Sequence, residues 1–402
     1  MTPLERRASG SLALIFAARM LGLFLVLPVF ALEAARYPGG DDPALVGLAM
    51  GIYGLTQGLL QIPYGLASDH FGRKRVIVLG LLVFAAGSFL AAAAPTLGWL
   101  LAGRALQGAG AVSAAVTALL ADQTRDSVRT KAMALVGASI GLMFALSLVA
   151  APVLAGQIGL AGLFAVTGVL ALGCIAVVLW WTPPAPAQKA GAPRGRLADV
   201  LNHAPLLRLD VGVFVLHAVQ LAMWVAVPAL LVQAGLDQQQ HWMVYLPTVL
   251  ASFFVMGAVL FPLERRGYLR AVFLGSVGLV LLVQLGLLAA SRAPGVATLA
   301  VLLFLFFCAF NVLEATQPSL ASRIAPARAR GAALGVYNTL QSLGFFAGGA
   351  VGGWLAKNVG LAGLFLACAA LMLLWLVVAW PMRAPRGAQT AEEVLADEAQ
   401  AT

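Results

Sequence analysis

The sequence is poor in charge. Asp, Glu, Lys and Arg make up 10% of its 402 residues, and its mean hydropathy is +0.93. A water-soluble domain carries roughly 25% charged residues. So large a deficit excludes a water-facing surface for most of the chain, and lipid is the remaining solvent. Cysteine is scarce as well. Cys174, Cys308 and Cys368 are odd in number, each lies in an apolar run, and none has CxxC spacing; they read as free buried thiols. No G-x-x-x-x-G-K-[ST] is present, which excludes a self-contained ATP-driven pump. There is no H-E-x-x-H, no pair of membrane aspartates and no Ser/His dyad, which argues against an intramembrane enzyme. One formal G-x-S-x-G, Gly137 to Gly141, falls inside an apolar helix, where the strand-to-helix turn of a nucleophile elbow has no place. No separate leader is expected either. The apolar run after Arg6 and Arg7 covers residues 11–34, whereas a signal h-region is about 7–15 residues long.

What is present is a series of runs long enough to cross a bilayer. About 20 apolar residues suffice for a helix, and twelve stretches qualify: 11–34, 44–66, 75–94, 98–121, 131–156, 159–182, 209–233, 242–262, 271–290, 294–317, 331–356 and 360–382. Residues 183–208, with Pro183, Pro184, Pro186, Pro193, Arg194 and Arg196, have the composition of a linker. The expected organisation is therefore a first six-helix bundle over 1–182, a cytoplasmic linker over 183–208, a second bundle over 209–383 and a short polar tail over 384–402. The net charge of +9 could suggest nucleic acid, but the basic residues sit at the ends of apolar runs. With the N-terminus in the cytoplasm, 20 of the 25 Lys and Arg fall on that side. Only Arg36, Arg292 and Lys357 lie outside, and Arg19 and Arg104 lie within spans. This split predicts cytoplasmic termini.

The two halves also resemble each other. Gly159-Leu160-Ala161-Gly162-Leu163-Phe164 recurs as Gly360-Leu361-Ala362-Gly363-Leu364-Phe365, half a chain later. The copies open the sixth and twelfth spans. Two parallel halves facing each other are a recurring transporter architecture, with the binding site at the midplane between them.

Three motifs carry functional information. The loop after the second span reads Gly65-Leu66-Ala67-Ser68-Asp69-His70-Phe71-Gly72-Arg73-Lys74-Arg75. Gly72 permits a tight turn, and Asp69 can face a cation or a helix N-terminus. This resembles the G-x-L-a-D-r-x-G-r-k signature of the major facilitator superfamily, with His70 where that family usually has Arg. Glu264-Arg265-Arg266-Gly267 after span 8 is a weaker echo. Span 4 carries Arg104-Ala105-Leu106-Gln107-Gly108, similar to the family's R-x-x-q-G, whose arginine is associated with proton coupling. Span 5 keeps Pro152 and Gly156 of the antiporter motif, with Ala151 and Ala155 replacing glycines. Ala18-Arg19-Met20-Leu21-Gly22 and Gly51 to Gln57 extend the likeness to the YajR-like branch of drug:proton antiporters. The resemblance implies an all-α integral membrane fold of twelve helices in two pseudo-symmetric six-helix bundles.

Polar residues inside spans mark the expected site, because amides, phenols and charges in lipid need a partner or water. Arg104, Glu314, His217 and Arg19 are candidates for proton coupling. Gly65, Asp69, Gly72, Arg73, Lys74, Pro152 and Gly156 form the conformational motifs. Tyr53, Gln57, Gln61, Gln107, Gln220, Trp224, Asn311, Tyr337, Asn338 and Gln341 are candidate cavity residues. Glu33, near the outer end of span 1, reads as interfacial. A glycine stripe on span 2 (Gly47, Gly51, Gly54, Gly58, Gly65) is answered by Gly344, Gly348 and Gly352 on span 11, as expected for sliding helix contacts. The expected function is alternating-access export of a small amphipathic molecule in exchange for protons, by a monomer in the inner membrane. The expectation includes no cofactor, no metal and no nucleic acid. A proton-coupled uptake symporter fits the same motifs, and a non-transporting receptor or scaffold is the reading from another class.

Overall fold

A computed structural model of the chain describes residues 1–184, 200–325 and 330–382, except residue 111. Among the described residues every regular element is helical. The α-helices are α1 (Pro3–Val26), α2 (Phe30–Ala34), α3 (Pro43–Phe71), α4 (Arg73–Ala92), α5 (Leu97–Ala109), α6 (Ser113–Asp122), α7 (Asp126–Ala176), α8 (Ala204–Gln233), α9 (Trp242–Arg265), α10 (Leu269–Ala290), α11 (Val296–Ile324), α12 (Arg330–Asn358) and α13 (Gly360–Ala379). A π-helical turn, Val177–Trp181, extends α7.

These helices make twelve spans. Ten stretches are long and apolar enough to cross a membrane by length and hydropathy alone. One of them, Leu135–Trp181, holds spans 5 and 6 together. Span 11 is α12, which is too rich in glycine and polar residues to qualify on hydropathy. The chain thus starts on one face, called the termini face here, and odd-numbered spans run away from it toward the far face.

Four spans differ from their expected continuity. Span 1 stops at Val26 and resumes as α2, because Pro28 lacks an N–H and its ring crowds the preceding turn. Span 4 breaks between α5 and α6 at Gly110, where any side chain would strike the carbonyl oxygen of Gly80 in span 3. Spans 5 and 6 are one helix bent sharply at Gly159 (φ 64°).

The duplication is visible in the backbone. Among the described residues six have positive φ, all glycine: Gly39, Gly72, Gly159, Gly235, Gly267 and Gly360. They fall into pairs at matching places in the two halves, after spans 1 and 7, 2 and 8, and 5 and 11. A second correspondence concerns charge. At the start of span 3, Lys74 Nζ donates to the Thr182 carbonyl (2.5 Å). At the start of span 9, Arg270 donates to the carbonyls of Met382 (2.8 Å) and Trp380 (2.6 Å). In each half a cation thus satisfies open carbonyls at the end of the sixth helix, as a C-terminus requires.

The halves meet along spans 2 and 11. Side chains at Gly47 and Gly54 would collide with the carbonyl oxygens of Gly349 and Ser342, and one at Gly51 would come within 2.7 Å of the Phe346 carbonyl oxygen. Small residues permit this backbone-to-backbone approach. Gly344, Gly348 and Gly352 do not take part; they face Phe214, Ala218 and Ala222 of span 7. The contact to span 2 uses Gly349 and Gly353 instead. At the far face Asp42, which caps α3, pairs with Lys357 (2.8 Å), and Gln238 donates to Glu33 (3.0 Å). Toward the termini face the contact ends. The nearest neighbour of Gly65 is Ala114 of its own half at 3.7 Å, and nothing lies within 4 Å of a side chain placed at Gly335. The halves are closed at the far face.

Candidate functional site

Arg19 of span 1 and Arg104 of span 4 are both buried, at 2% and 5% exposure. Arg19 donates to Ser113 Oγ (2.5 Å), Tyr53 Oη (2.7 Å) and Gln57 Oε1 (2.9 Å). Arg104 donates to Gln107 Oε1 (2.7 Å) and the Met50 carbonyl (3.3 Å). Gln107 passes the chain on to Ser88 Oγ (2.8 Å). Among the described residues neither guanidinium reaches a carboxylate, and the Nε of each has no partner. Aromatic faces take up part of the charge. The Arg104 carbon stands 5.0 Å from the Tyr53 ring centre and about 6 Å from Phe30 and Phe164. Tyr53 thus connects the two cations, one through its hydroxyl and one through its ring.

The second half supplies the acid. His217 of span 7, Glu314 of span 10 and Gln341 of span 11 come together from separate helices. His217 Nε2 lies 3.3 Å from Glu314 Oε2 and 2.8 Å from Gln341 Nε2, which also reaches Glu314 Oε1 at 3.3 Å. His217 Nδ1 lies 2.8 Å from the Val213 carbonyl. A carbonyl only accepts, so Nδ1 carries a hydrogen, and Nε2 of the neutral ring is then an acceptor. The Gln341 Nε2–H faces that lone pair at 2.8 Å, and Glu314 Oε2 stands 3.3 Å from the same nitrogen with no hydrogen-bond partner of its own. The histidine side chain is 2% exposed, whereas that of Glu314 is 40% exposed. A carboxyl at this depth cannot be left to lipid, so Glu314 faces the space between the halves. Phe345 and Phe310 wall the imidazole at 4.8 and 6.1 Å.

One amide joins the two networks. Gln57 accepts from Arg19 and donates to Ser342 Oγ (3.0 Å) on span 11. Ser342, next to Gln341 in the chain, donates to the carbonyl of Asn338 (3.0 Å). Of the residues expected at the site, Arg19, Arg104, Tyr53, Gln57, Gln107, Asn338, Gln341, His217 and Glu314 are brought into this assembly. Others lie apart. Asn311 is held by Ser252 of span 8 (2.9 Å). Trp224 packs on Tyr245 at 5.4 Å, and Gln61, Gln220 and Tyr337 are buried with a polar atom unpartnered. Ser113, Ser342 and Asp210 were not legible as participants. Serine in a membrane helix is too common to stand out. Asp210 falls at the expected boundary of span 7, yet it is seven residues before His217 and shares its helical face.

The loop motif after span 2 has a firm structural basis. Gly72 takes φ 95° between α3 and α4. Arg73 pairs with Asp122 at the end of span 4 (3.0 Å) and donates to Ser68 (2.7 Å). The side chains of Asp69, Glu264 and Arg265 are outside the described residues. At the far face, a side chain on Gly156 would come within 2.5 Å of Gln239 in the loop between spans 7 and 8. Pro152 lies one turn earlier on the same helix. A cavity of about 360 Å³ adjoins, lined by Glu33, Arg36, Gly156 and residues 237–240. Glu33 is 4% exposed and bonded both to Arg36 and to Gln238, so it joins the halves rather than lying in the interface with lipid. Among the described residues no cluster of three His, Cys, Asp or Glu could hold a metal ion.

The sequence profile of the Major Facilitator Superfamily matches residues 12–349 and 209–399. The chain belongs to the major facilitator superfamily. It is 43% identical to the inner membrane transport protein YajR of Escherichia coli (strain K12), over 96% of this chain and 85% of that protein. It is 27% identical to the multidrug resistance protein MdtH of Shigella boydii serotype 4 (strain Sb227), over 84% of this chain and 83% of that protein. A D-xylose-proton symporter has the same fold, with a TM-score of 0.75 at 14% identity, over 95% of this chain and 99% of that one. As a superfamily member the chain is a multi-pass membrane transporter of the alternating-access type, carrying small molecules, and it is not an enzyme.

Proposed function

We propose that the chain is a proton-coupled exporter of small amphipathic molecules, in which one proton at the His217–Glu314 pair is exchanged for one bound solute. The observation that carries this reading is Glu314 itself. It lies deep in the membrane, faces the space between the halves with a 40% exposed side chain, and stands 3.3 Å from His217 Nε2. A group that must hold a proton in one state and release it in another needs both features. The names of relatives support export and an inner-membrane location, MdtH through multidrug resistance and YajR through its membrane. The charge split supports cytoplasmic termini. With that orientation the structure corresponds to the inward-facing state. The protein acts as a monomer, in two bundles (1–182 and 209–383) joined by residues 183–208. The cavity walls of Tyr, Gln, Asn and aromatic side chains suit a weakly polar amphiphile.

The test begins with a thermal-stabilisation screen of the purified protein against amphipathic cations, neutral amphiphiles and small metabolites. Compounds that stabilise are then followed in proteoliposomes under an imposed pH gradient. Exchange predicts that solute moves against the proton. Movement with the proton would establish uptake symport instead, and an absence of any flux with bound solute would establish a receptor.

A further inference from the structure

Three buried side chains on the termini side of the His217–Glu314 pair have polar atoms with no hydrogen-bond partner in the protein. They are Asp210 (Oδ2), Tyr337 (Oη) and Gln317 (both amide atoms). Their exposures are 4%, 3% and 0%. Orphaned groups of this kind are rare in folded proteins, a few per hundred residues, and each costs about 1–3 kcal/mol when left unmade. Three in one region call for an occupant.

The helix directions place them on one line. Span 7 runs away from the termini face, so Asp210 lies two turns, about 10 Å, nearer that face than His217. Span 11 runs the same way, so Tyr337 lies one turn, about 6 Å, below Gln341. Span 10 runs back, so Gln317 lies about 4.5 Å below Glu314. Spans 7 and 11 are in register here, because Gly344 meets the Phe214 carbonyl and Gly348 the Ala218 carbonyl. The same register sets Tyr337 opposite Leu207, within one turn of Asp210, while the Gln341 side chain reaches up to His217.

We propose that these groups enclose a file of ordered water connecting Glu314 to the termini face, and that Asp210 is a second proton-binding carboxyl at its outer end. This rests on the proton-coupled reading above. Internal water commonly makes about three hydrogen bonds to such groups, and the polar atoms here are donors and acceptors suited to it. A carboxylate buried beside unpartnered polar atoms is costly in its charged form, so Asp210 is carried neutral until water reaches it. Among the described residues the charged and titratable groups around it are few. On its own helix they are Arg208 and His217, from span 11 Tyr337, and from span 10 Glu314 and, at the end of that helix, Arg323. Span 12 contributes no charged group. The file gives the proton an exit separate from the space between the halves. A solute entering there from the termini side would cover Glu314, yet the proton could still leave behind it. No bond other than O–H and N–H is made or broken, and the proton taken from Glu314 is the one delivered by Asp210.

Infrared pH-difference spectroscopy on the full chain in lipid vesicles tests this, because neutral buried carboxyls give C=O bands of their own. Wild type should show two such bands. Asp210→Asn should remove one and Glu314→Gln the other. Gln317→Leu, which fills the file with apolar volume, should slow the H/D exchange of the Glu314 carboxyl, and Tyr337→Phe should slow it less. A spectrum unchanged by Asp210→Asn, with Glu314 still titrating, overturns the file and leaves proton coupling standing. Exchange at Glu314 unaffected by both Gln317→Leu and Tyr337→Phe overturns it as well. Absence of a titrating Glu314 band overturns both readings. A misfolded Asp210→Asn variant does not rescue the idea, since the Gln317 and Tyr337 variants test it separately.

Discussion

Near the middle of the membrane the first half buries two arginines and no acid; its buried acids, Glu5 and Glu33, lie at the two ends of span 1. The second half buries a histidine and an aspartate, holds a glutamate at the cavity wall, and has no buried cation among its described residues. Each half on its own carries groups that lipid would reject, at about 2.5–3.5 kcal/mol per charge on insertion scales. Compensation comes from different sources. In the first half it is aromatic faces and neutral oxygens around Arg19 and Arg104. In the second it is the amide of Gln341, which donates to both His217 and Glu314. The first half is therefore a fixed positive field, because guanidinium stays charged. The second half is where charge can change. Gln57 and Ser342 are the physical link through which the fixed field meets the variable group.

Removing one side of that contrast should have the largest effect. Arg104→Ala should reduce proton-coupled flux in proteoliposomes to background at every pH, while the protein still inserts and elutes as wild type. Normal coupled flux would make Arg104 a packing residue. On the other side, Glu314→Gln should leave exchange of solute for solute but erase the pH dependence of transport. A retained pH profile would reduce Glu314 to a hydrogen-bonding role.

The faces sharpen the comparison further. Gly47→Ala inserts a methyl where the Gly349 carbonyl already lies. Overpacking costs about 1–3 kcal/mol, so the far-face-closed population should fall roughly ten- to hundredfold, read as longer distances between spin labels at the far ends of spans 2 and 11. Asp69→Asn should act in the opposite sense. If Asp69 meets the N-terminus of span 11 when the termini face closes, its loss weakens that state by up to about tenfold. Distances between labels at the termini ends of spans 2 and 11 should lengthen, and an unchanged distribution with normal flux would leave the motif a topogenic loop.

The smallest effect belongs to the exposed latch. The hydrogen bond from Lys357 holds the Asp42 carboxyl below its ordinary value, so the latch contributes above about pH 3.9 and is lost only as pH falls through that lowered value. Between pH 5 and 8 it is constant. Asp42→Asn should change the closed population by less than about fivefold, with no new pH dependence in that range, and added salt should shrink the difference. A larger change, or a pH-dependent one, would move part of the switch from the cavity to the far face.

Much of the fold was legible because lipid leaves few options. Eleven of the spans announce themselves by length and apolar content; span 11 was found through its place in the count and its glycines, since its hydropathy is too low. Pro28 and Gly110 mark real breaks, though only the structure shows that the helices stop there. At the site, each polar residue was visible but its partner was not. His217 and Glu314 lie almost a hundred residues apart on non-adjacent spans. Nothing in one sequence says which faces of spans 7 and 10 meet. The glycines show the same limit. The stripe on span 2 was readable, but span 11 has two glycine faces, and the one chosen, Gly344, Gly348 and Gly352, packs inside its own half.

The paired turns have a consequence of another kind. Gly159 and Gly360 both take positive φ, and each is followed three residues on by a glycine over which the preceding residue folds, Ile158 over Gly162 and Val359 over Gly363. Any L side chain at these four positions is strained or crowded. A map of every tolerated substitution along the chain should therefore repeat with a period near half its length, peaking in intolerance at the turns. The ancestral copy would be easier to see in what the chain forbids than in the letters it still shares.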